Sequence, residues 1–224
     1  MILAAGRGNR LRPLTDTFPK PLLRLDGRSL IARQIDALRR AGIDELCINL
    51  HWLGERIHAE LADQPGIRWQ WEETLLDTGG GIARALPWLC EREDAFVLVN
   101  ADILHDFDLT RLLDQPGPAL VLTPKAAHPD QSGDFGVTGN RVNLDAQDYV
   151  YTGMARLNSG FFSTCPQGER AVPSPLFDLL RGRIQAGELR ALTHSGWWSD
   201  LGTPARLADY AGRLTDPDNN QAAP

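Results

Sequence analysis

The chain has 224 residues, 42% of them hydrophobic and 23% charged, which is an ordinary composition for a globular protein. Its formal net charge is −6 at neutral pH, and an acidic protein binds the polyphosphate backbone of nucleic acids poorly. Its apolar runs are far shorter than the roughly 20 residues that a membrane-spanning helix needs. We therefore expect neither nucleic acid nor a membrane as a partner.

The cysteines and the N-terminus indicate where the protein works. Cys47, Cys90 and Cys165 are odd in number and far apart, which argues against a disulfide framework and against a zinc site. The stretch from Met1 to Ala5 lacks the basic start and long apolar run of a signal peptide. We expect a cytoplasmic protein, either a monomer or a small homo-oligomer.

Apolar runs alternate with helical patterns in the first half of the chain, which is typical of βαβ units. Residues 1–5 predict a buried strand, and the apolar spacing from Ser29 predicts a helix that ends at Gly42. Further strands are predicted over residues 46–50, 67–71, 95–100 and 119–122, with a helix that Thr78 caps and that continues to Leu89.

The pattern changes beyond residue 124, where residues 133–151 are rich in Gly, Asn and Asp and predict hairpins. Ser174-Pro175 and Thr203-Pro204 predict the starts of two later helices. The sequence thus predicts an α/β fold with a doubly wound, mostly parallel sheet and a small β-rich inserted lobe. We expect a single domain over residues 1–214 and a polar tail over 215–224.

The first predicted strand runs into a loop rich in glycine and arginine. Residues 1–28 hold six basic and two acidic side chains, which suits a small anionic ligand. Gly6 and Gly8 let backbone N–H groups approach oxyanions, and Arg10 offers a fork that fits phosphate. The Walker and dinucleotide-binding patterns both fail, since Leu11 stands where each requires glycine.

Three further residues carry chemistry. Lys20 lies between two prolines, which fix the backbone on either side of the ammonium group. Asp102 follows the strand over residues 95–100, and Asp200 precedes the last predicted helix. Two carboxylates from distant parts of the chain can hold one Mg²⁺ together with substrate phosphates, although capping a turn is the common alternative for either.

These segments together resemble one enzyme family. The pattern L-A-A-G-x-G-x-R-L-x-P-L-T over residues 3–15, followed by P-K-P-L-L over 19–23, is similar to the signature of the sugar-1-phosphate nucleotidyltransferases. The later landmarks T-G-G-G-I (78–82), G-D-F (133–135) and W-x-D-x-G-T (198–203) follow in the family's order. The resemblance implies a Rossmann-like nucleotidyltransferase fold, with a nucleotide-binding half over about 1–123 and a sugar-binding lobe over about 124–195.

The resemblance also implies roles for individual residues. Arg10 and Lys20 would neutralise the phosphates, and Asp102 and Asp200 would bind Mg²⁺, so these four form the expected catalytic set. Asp134, Thr152 and Gly153 would lie in the sugar pocket. The residues expected to bind the nucleotide are Ala5, Gly6, Arg7, Gly8, Asn9, Arg10, Lys20, Thr78, Gly79, Gly80 and Asn100. The chain departs from many relatives at Ala101, where they have glycine.

Within the family, the resemblance is strongest to compact members that transfer UMP from UTP to N-acetylmuramic acid α-1-phosphate in peptidoglycan recycling. It implies a Mg²⁺-dependent reaction that releases pyrophosphate. Two alternatives stay open. The acceptor and nucleotide can be another pair, such as mannose-1-phosphate with GTP or glucose-1-phosphate with UTP or dTTP, or the chain can be a regulatory module that binds nucleotide without catalysis.

Overall fold

The computed structural model describes the backbone of residues 1–215 and the side chains of residues 1–210. The strands are β1 (Ile2–Leu3), β2 (Arg24–Leu25), β3 (Arg28–Ser29), β4 (Leu46–Leu50), β5 (Ile67–Trp71), β6 (Ala95–Asn100), β7 (Ile103–His105), β8 (Ala119–Pro124), β9 (Gly136–Thr138), β10 (Arg141–Asn143), β11 (Tyr149–Asn158), β12 (Arg190–Thr193) and β13 (Trp198–Asp200). The α-helices are α1 (Leu14–Thr17), α2 (Leu30–Arg40), α3 (Gly54–Leu61), α4 (Asp77–Leu89), α5 (Thr110–Leu113), α6 (Leu176–Gln185) and α7 (Pro204–Thr215). No helix in this described part of the chain is long and apolar enough to cross a membrane.

Two compact units make up the chain, and each is assembled from separate segments. Unit 1 consists of Met1, residues 72–99 and residues 110–195. Unit 2 consists of residues 2–71, residues 100–109 and the segment from Gly196 onwards. The expected functional halves over residues 1–123 and 124–195 stay a prediction. Apart from residue 215, which ends α7, the expected polar tail lies outside the described residues.

Unit 2 is built on three parallel strands in the order β5–β4–β1. Ile2 is in register with Ile48, and Leu46 with Ile67. All five residues of β4 are buried, as expected for a strand within a parallel sheet. Helix α2 buries the face formed by its helically spaced apolar residues, as the sequence predicts; these are Leu30, Ile31, Ile35 and Leu38.

Unit 1 contains six strands in the order β6–β11–β8–β12–β10–β9. Strand β11 is antiparallel to both of its neighbours, whereas β8 and β12 are parallel. Strands β9 and β10 form an antiparallel hairpin, which confirms the prediction for residues 133–151. The predicted α/β class with a mostly parallel sheet and a β-rich insertion is therefore confirmed, and the antiparallel pairing is concentrated on β9, β10 and β11.

The start of α4 differs from the prediction. The helix begins at Asp77, so Thr78 lies inside it and does not cap it. The carboxylate of Glu72, which is buried, accepts the N–H of Leu76 at 3.1 Å. Glu72, four residues before Leu76, thus satisfies a backbone donor at the helix start. The sequence predicts this role for Thr78.

The two proline-marked helices begin close to the predicted positions. Helix α6 begins at Leu176, with Pro175 as its N-cap residue, so Ser174 lies one residue before the cap. Helix α7 begins at Pro204, and the Thr203 hydroxyl accepts the N–H of Arg206 at 3.3 Å. The second of these starts therefore has the predicted threonine cap.

Candidate active site

The predicted phosphate loop, residues 5–10, follows β1 in unit 2. Gly8 has a φ of +69°, in the left-handed region, and a Cβ there would lie 3.1 Å from Thr15 Cγ2 and 3.3 Å from Lys20 Cβ. The hydroxyl of Thr15, a fully buried residue, donates to the Gly8 carbonyl at 2.9 Å. Both backbone conformation and packing therefore require glycine at position 8.

The remaining loop residues differ in their surroundings. At Gly6, nothing lies within 4 Å of the place where a Cβ would sit, so this part of the loop is open. The Arg7 guanidinium lies over the Trp52 ring, 3.9 Å from its centroid. The Ala5 carbonyl accepts the Trp52 N–H at 3.4 Å, and Asn9 begins a short 3-10 helix. The loop is thus anchored on one side and open on the other.

Lys20 lies within unit 2 in the 3-10 turn that follows Pro19. The residue is only 5% exposed, and its ammonium group makes an ion pair with the carboxylate of Asp102. The Asp102 side chain is 31% exposed. A buried ammonium requires such a partner, because an unpaired buried charge is costly.

Asp102 and Asp200 are neighbours in the antiparallel ribbon that β7 and β13 form in unit 2. Asp200 pairs in register with Ile103, and the Leu201 N–H donates to the Asp102 carbonyl at 3.2 Å. The structure therefore brings together the backbones of the two aspartates that the sequence singles out, although 98 positions separate them in the sequence.

Two arginines contact the carboxylate of Asp200. Arg10 Nη2 lies 3.5 Å from Oδ2, and Arg206 on α7 makes an ion pair with Oδ1. The Arg10 side chain is 62% exposed, whereas that of Arg206 is 14% exposed. A Cβ at Gly202 would lie 2.5 Å from Arg10 Nη2, so glycine at this position leaves room for the arginine.

The donor set of this cluster fits Mg²⁺. Protein Mg²⁺ sites use one or two carboxylates, with phosphate oxygens and water completing the coordination. Asp102 and Asp200 supply the two carboxylates, and the described residues hold no group of three or more His, Cys, Asp or Glu that could bind a metal. Three cations, Arg10, Lys20 and Arg206, surround the two acids, which leaves the cluster positive and suited to a polyphosphate.

Asn100 is the last residue of β6 and is half-buried in unit 2. The next residue, Ala101, is 1% exposed and donates its N–H to the Leu3 carbonyl at 3.0 Å. Ala101 is thus accommodated in a buried turn between Asn100 and Asp102.

The predicted sugar-binding residues lie together in unit 1, on either side of Tyr151. The Asp134 carboxylate accepts the Tyr151 N–H at 2.8 Å, and Gly153 has a φ of +84° where the pairing of β11 with β8 shifts register. Burial raises the pKa of Asp134, and the bond from the Tyr151 N–H opposes that rise. The hydroxyl of Thr152, a fully buried residue, donates to the Val121 carbonyl at 2.8 Å.

Thr78, Gly79 and Gly80 also lie in unit 1, in the first turn of α4. A Cβ at Gly80 would lie 2.3 Å from the Val172 carbonyl oxygen, and one at Gly79 would lie 2.7 Å from that of Ser174. The Gly80 N–H donates to the same Ser174 carbonyl at 3.1 Å. Close packing of α4 on this segment therefore requires both glycines, and their contact with a nucleotide stays a prediction.

Three residues of unit 2 that contact the phosphate loop or the charged cluster are not predicted from the sequence as site residues: Thr15, Trp52 and Arg206. Thr15 ends the first motif, so its position in the pattern was a usable signal. Arg206 lies in the first turn of α7, six residues after Asp200; its backbone N–H donates to the Thr203 hydroxyl, and its guanidinium pairs with the acid. Nothing in the sequence around Trp52 marks it.

Comparison with known proteins identifies the family. The model of one family, described as the MobA-like NTP transferase domain, matches residues 1–194. The chain belongs to the MobA-like NTP transferase family. This nucleotidyltransferase is an enzyme of the class that the sequence predicts, and the loop, Lys20 and the two aspartates are all present in it.

Individual relatives are similar over nearly the whole nucleotidyltransferase. The N-acetylmuramate alpha-1-phosphate uridylyltransferase of Neisseria meningitidis is 36% identical over 227 residues, which covers 93% of this chain and 95% of that protein. The mannose-1-phosphate guanyltransferase beta-B of Xenopus laevis is 27% identical over 91% of this chain, which spans 61% of that protein. The solved inositol-1-phosphate CTP transferase of T. maritima has a TM-score of 0.75 at 20% identity and covers 95% of this chain and 92% of its own, and so shares the fold.

Proposed function

We propose that this sugar-1-phosphate nucleotidyltransferase transfers UMP from UTP to N-acetylmuramic acid α-1-phosphate and releases pyrophosphate. The assignment of the substrates rests on one observation, the 36% identity to the Neisseria relative across 93% of this chain and 95% of that one. The mannose-1-phosphate guanyltransferase is less similar, and this chain spans only 61% of its length.

The arrangement of charges in unit 2 supports the chemistry. An oxygen of the sugar phosphate forms a bond to the α-phosphorus of UTP, and the bond from that phosphorus to the pyrophosphate oxygen breaks. The attacking oxygen is already anionic, so the reaction requires no general base. Catalysis then consists of alignment and of neutralising charge, for which a cluster of cations and carboxylates is suited.

Each residue of the cluster has a role in this proposal. The N–H groups around Gly6 and Gly8 bind phosphate oxygens, and Arg10 and Lys20 stabilise the negative charge that the departing pyrophosphate gains. Asp102 and Asp200 hold Mg²⁺, which when bound supplies Lewis-acid stabilisation of the phosphate oxygens. Arg206 keeps Asp200 in place. Asp134, with Thr152 and Gly153, contributes to the sugar site in unit 1.

We further propose that the enzyme acts in the cytoplasm, in the recycling of peptidoglycan. The proposal rests on the absence of disulfides among Cys47, Cys90 and Cys165, which suits a reducing compartment. Both proposed substrates carry charged phosphate groups. Charged molecules do not cross a membrane unaided, so an enzyme that uses them is expected in the compartment where they are made.

The test is pyrophosphate release in the presence of Mg²⁺ from a matrix of nucleoside triphosphates and sugar-1-phosphates. We expect the highest kcat/KM for UTP with N-acetylmuramic acid α-1-phosphate. Equal turnover of glucose-1-phosphate would contradict the assignment of the acceptor and keep the chemistry. UTP binding without turnover of any acceptor would indicate a regulatory nucleotide-binding module.

The chain offers a matched control, because its only two lysines, Lys20 and Lys125, both follow a proline. Lys125 is exposed on unit 1, whereas Lys20 is buried in the cluster of unit 2. Lys20→Ala is expected to lower kcat by about 100-fold or more, in the range found when a charge-stabilising group is removed. Lys125→Ala is expected to retain the wild-type kcat.

A further inference from the structure

Trp52 contacts the phosphate loop and the turn behind it at three points, all within unit 2. Its backbone N–H donates to the Ala5 carbonyl at 3.4 Å. Its indole Nε1–H donates to the Thr15 carbonyl at 2.8 Å. The face of its ring carries the Arg7 guanidinium, 3.9 Å from the ring centroid. One residue, through its backbone and its side chain, thus connects both ends of the segment over residues 5–15.

The contacts of Thr15 extend this connection towards Lys20. The hydroxyl of Thr15 donates to the Gly8 carbonyl at 2.9 Å, while the position of a Cβ on Gly8 lies 3.3 Å from Lys20 Cβ. Thr15 is fully buried and Lys20 is 5% exposed. The indole is therefore hydrogen-bonded to Thr15 and Thr15 to Gly8, and Lys20 bounds the space beside Gly8.

The backbone beside Trp52 is strained. Leu53 has a φ of +51° and a ψ of 29°, in the left-handed region that residues with a Cβ seldom adopt. Such strain persists where the surrounding structure holds it, and it is commonest at functional sites. Helix α3 begins at the next residue, and its Arg56 side chain donates to the Thr17 carbonyl at 2.5 Å. This second contact holds the same turn against the start of α3.

We propose that Trp52 is the positioning residue of the phosphate loop. It holds the Thr15 turn through its indole N–H, and its ring holds the Arg7 guanidinium together with the Asp16 carboxylate, which lies 3.6 Å from Arg7 Nη2. A loop already held in its binding conformation loses little conformational entropy when a triphosphate binds. The inference rests on the proposed function in one respect, that the loop binds the triphosphate of UTP.

Two substitutions separate the two contacts of the side chain. Trp52→Phe removes the Nε1–H donor and keeps an aromatic face for Arg7, whereas Trp52→Leu removes both. We expect KM for UTP to rise about 3- to 10-fold in Trp52→Phe, the range for one lost hydrogen bond, and further in Trp52→Leu. KM for the sugar phosphate is expected to stay at the wild-type value in both.

Trp71→Phe is the matched control, because Trp71 belongs to the same unit and is 40% exposed. Its ring packs against His58, at 5.8 Å between centroids. Among the described residues, no hydrogen bond, ion pair or ring contact joins it to the loop. This variant is expected to keep the wild-type KM for UTP. A rise equal to that of Trp52→Phe would contradict the proposal.

Arg7→Gln tests the stacking contact. Combined with Trp52→Leu, its effect on KM for UTP is expected to be smaller than in the wild-type background, because the ring no longer helps the Asp16 carboxylate, 3.6 Å from Arg7 Nη2, to hold the guanidinium. Combined with Trp52→Phe, its effect is expected to be as large as in the wild-type background. Equal effects in all three backgrounds would overturn the role of the ring.

Hydrogen exchange keeps this inference separate from the proposed function. If Trp52 positions the loop, backbone amides of residues 6–16 exchange faster in Trp52→Phe than in the wild type, even if UTP proves not to be the substrate. Unchanged exchange in this segment would overturn the proposal. Uniformly faster exchange across unit 2, with kcat and both KM values altered together, would show a merely structural role and would overturn it as well.

Discussion

At the residue scale, pairs of opposite charge organise the cluster in unit 2. Lys20 is almost completely buried, and the carboxylate it contacts, that of Asp102, is partly open to solvent. Asp200 shares its carboxylate between an exposed arginine, Arg10, and a partly buried one, Arg206. Burial makes the first pair sensitive to the loss of either partner, because the remaining charge then lies in a medium of low dielectric constant.

Asp102→Ala is expected to destabilise the protein as well as to abolish turnover. The Lys20 ammonium would lose its carboxylate partner, with an expected decrease in the free energy of unfolding of about 2–4 kcal/mol, measurable by urea denaturation at neutral pH. The double variant Lys20→Met with Asp102→Ala, which removes both charges, should recover part of that loss. Wild-type stability of Asp102→Ala would contradict the structural importance of the pair.

Asp134 predicts a pH dependence of stability. Burial raises the pKa of its carboxyl above the ordinary value of 3.8, against the opposing bond from the Tyr151 N–H. The folded protein therefore binds the proton more tightly than the unfolded chain does, and stability decreases as the pH rises through the interval between the two pKa values. Above the raised pKa, the partly buried carboxylate of Asp134 lowers stability.

Asp134→Asn removes this ionisation, and its amide oxygen can still accept the Tyr151 N–H. We expect the variant to have a higher Tm than the wild type at pH 7.5, with the difference shrinking as the pH falls towards 3.8. Thermal unfolding of both proteins across that pH range tests this expectation. A difference in Tm that is constant with pH would show that ionisation of Asp134 is not its cause.

At the scale of the elements, the glycines inside α4 and α6 have opposite effects on stability. Gly80 allows α4 to approach the backbone of residues 172–174, where a Cβ would lie 2.3 Å from a carbonyl oxygen. Gly182, inside α6, has nothing within 4 Å of the corresponding position. The first glycine is required by packing, and the second only lowers the helix propensity.

Alanine at these two positions is therefore expected to change stability in opposite directions. Gly80→Ala forces α4 away from its neighbouring segment and should lower the free energy of unfolding by about 1–3 kcal/mol. Gly182→Ala should raise it by up to about 1 kcal/mol through helix propensity alone. Urea denaturation of the two variants provides the comparison: undiminished stability of Gly80→Ala would contradict the packing explanation, and loss of stability in Gly182→Ala would contradict the effect of helix propensity.

At the scale of the whole molecule, an acidic chain carries a local cluster of cations. The net charge is −6, yet three cations surround two carboxylates in unit 2. This contrast favours a small polyphosphate over an extended nucleic acid, because an extended polyanion would meet the acidic remainder of the surface. Binding of such a ligand to the folded state alone must raise its stability.

UTP is therefore expected to raise the Tm of the wild-type protein in the presence of Mg²⁺. At a concentration of about 100 times its Kd, the ligand should add about 2.7 kcal/mol to the free energy of unfolding. Lys20→Met should lose most of this increase, whereas Lys125→Met should retain it. The same increase with all nucleoside triphosphates would show binding of the triphosphate without selection of the base.

Much of the fold and part of the site follow from the sequence, since they depend on patterns within a few residues. Alternating apolar runs predict β4, β5 and β6 within a residue of their ends, and the glycines and arginines after β1 mark the anionic site. The end of α2 follows from Gly42, which has a φ of +84° just beyond the helix. These features are local, so the residues that determine them are adjacent in the chain.

Only the tertiary structure decided which distant groups meet. Trp52 binds the carbonyl of Thr15 across 37 positions, and Lys20 pairs with Asp102 across 82. The packing explanation for Gly80, and the arginine that α7 turns towards Asp200, likewise depend on segments far apart in sequence. The spacing of apolar residues along the chain predicts a helix or strand, because it shows which face of that element is buried. The partner of a buried charge or carbonyl depends instead on how the folded chain brings distant elements together.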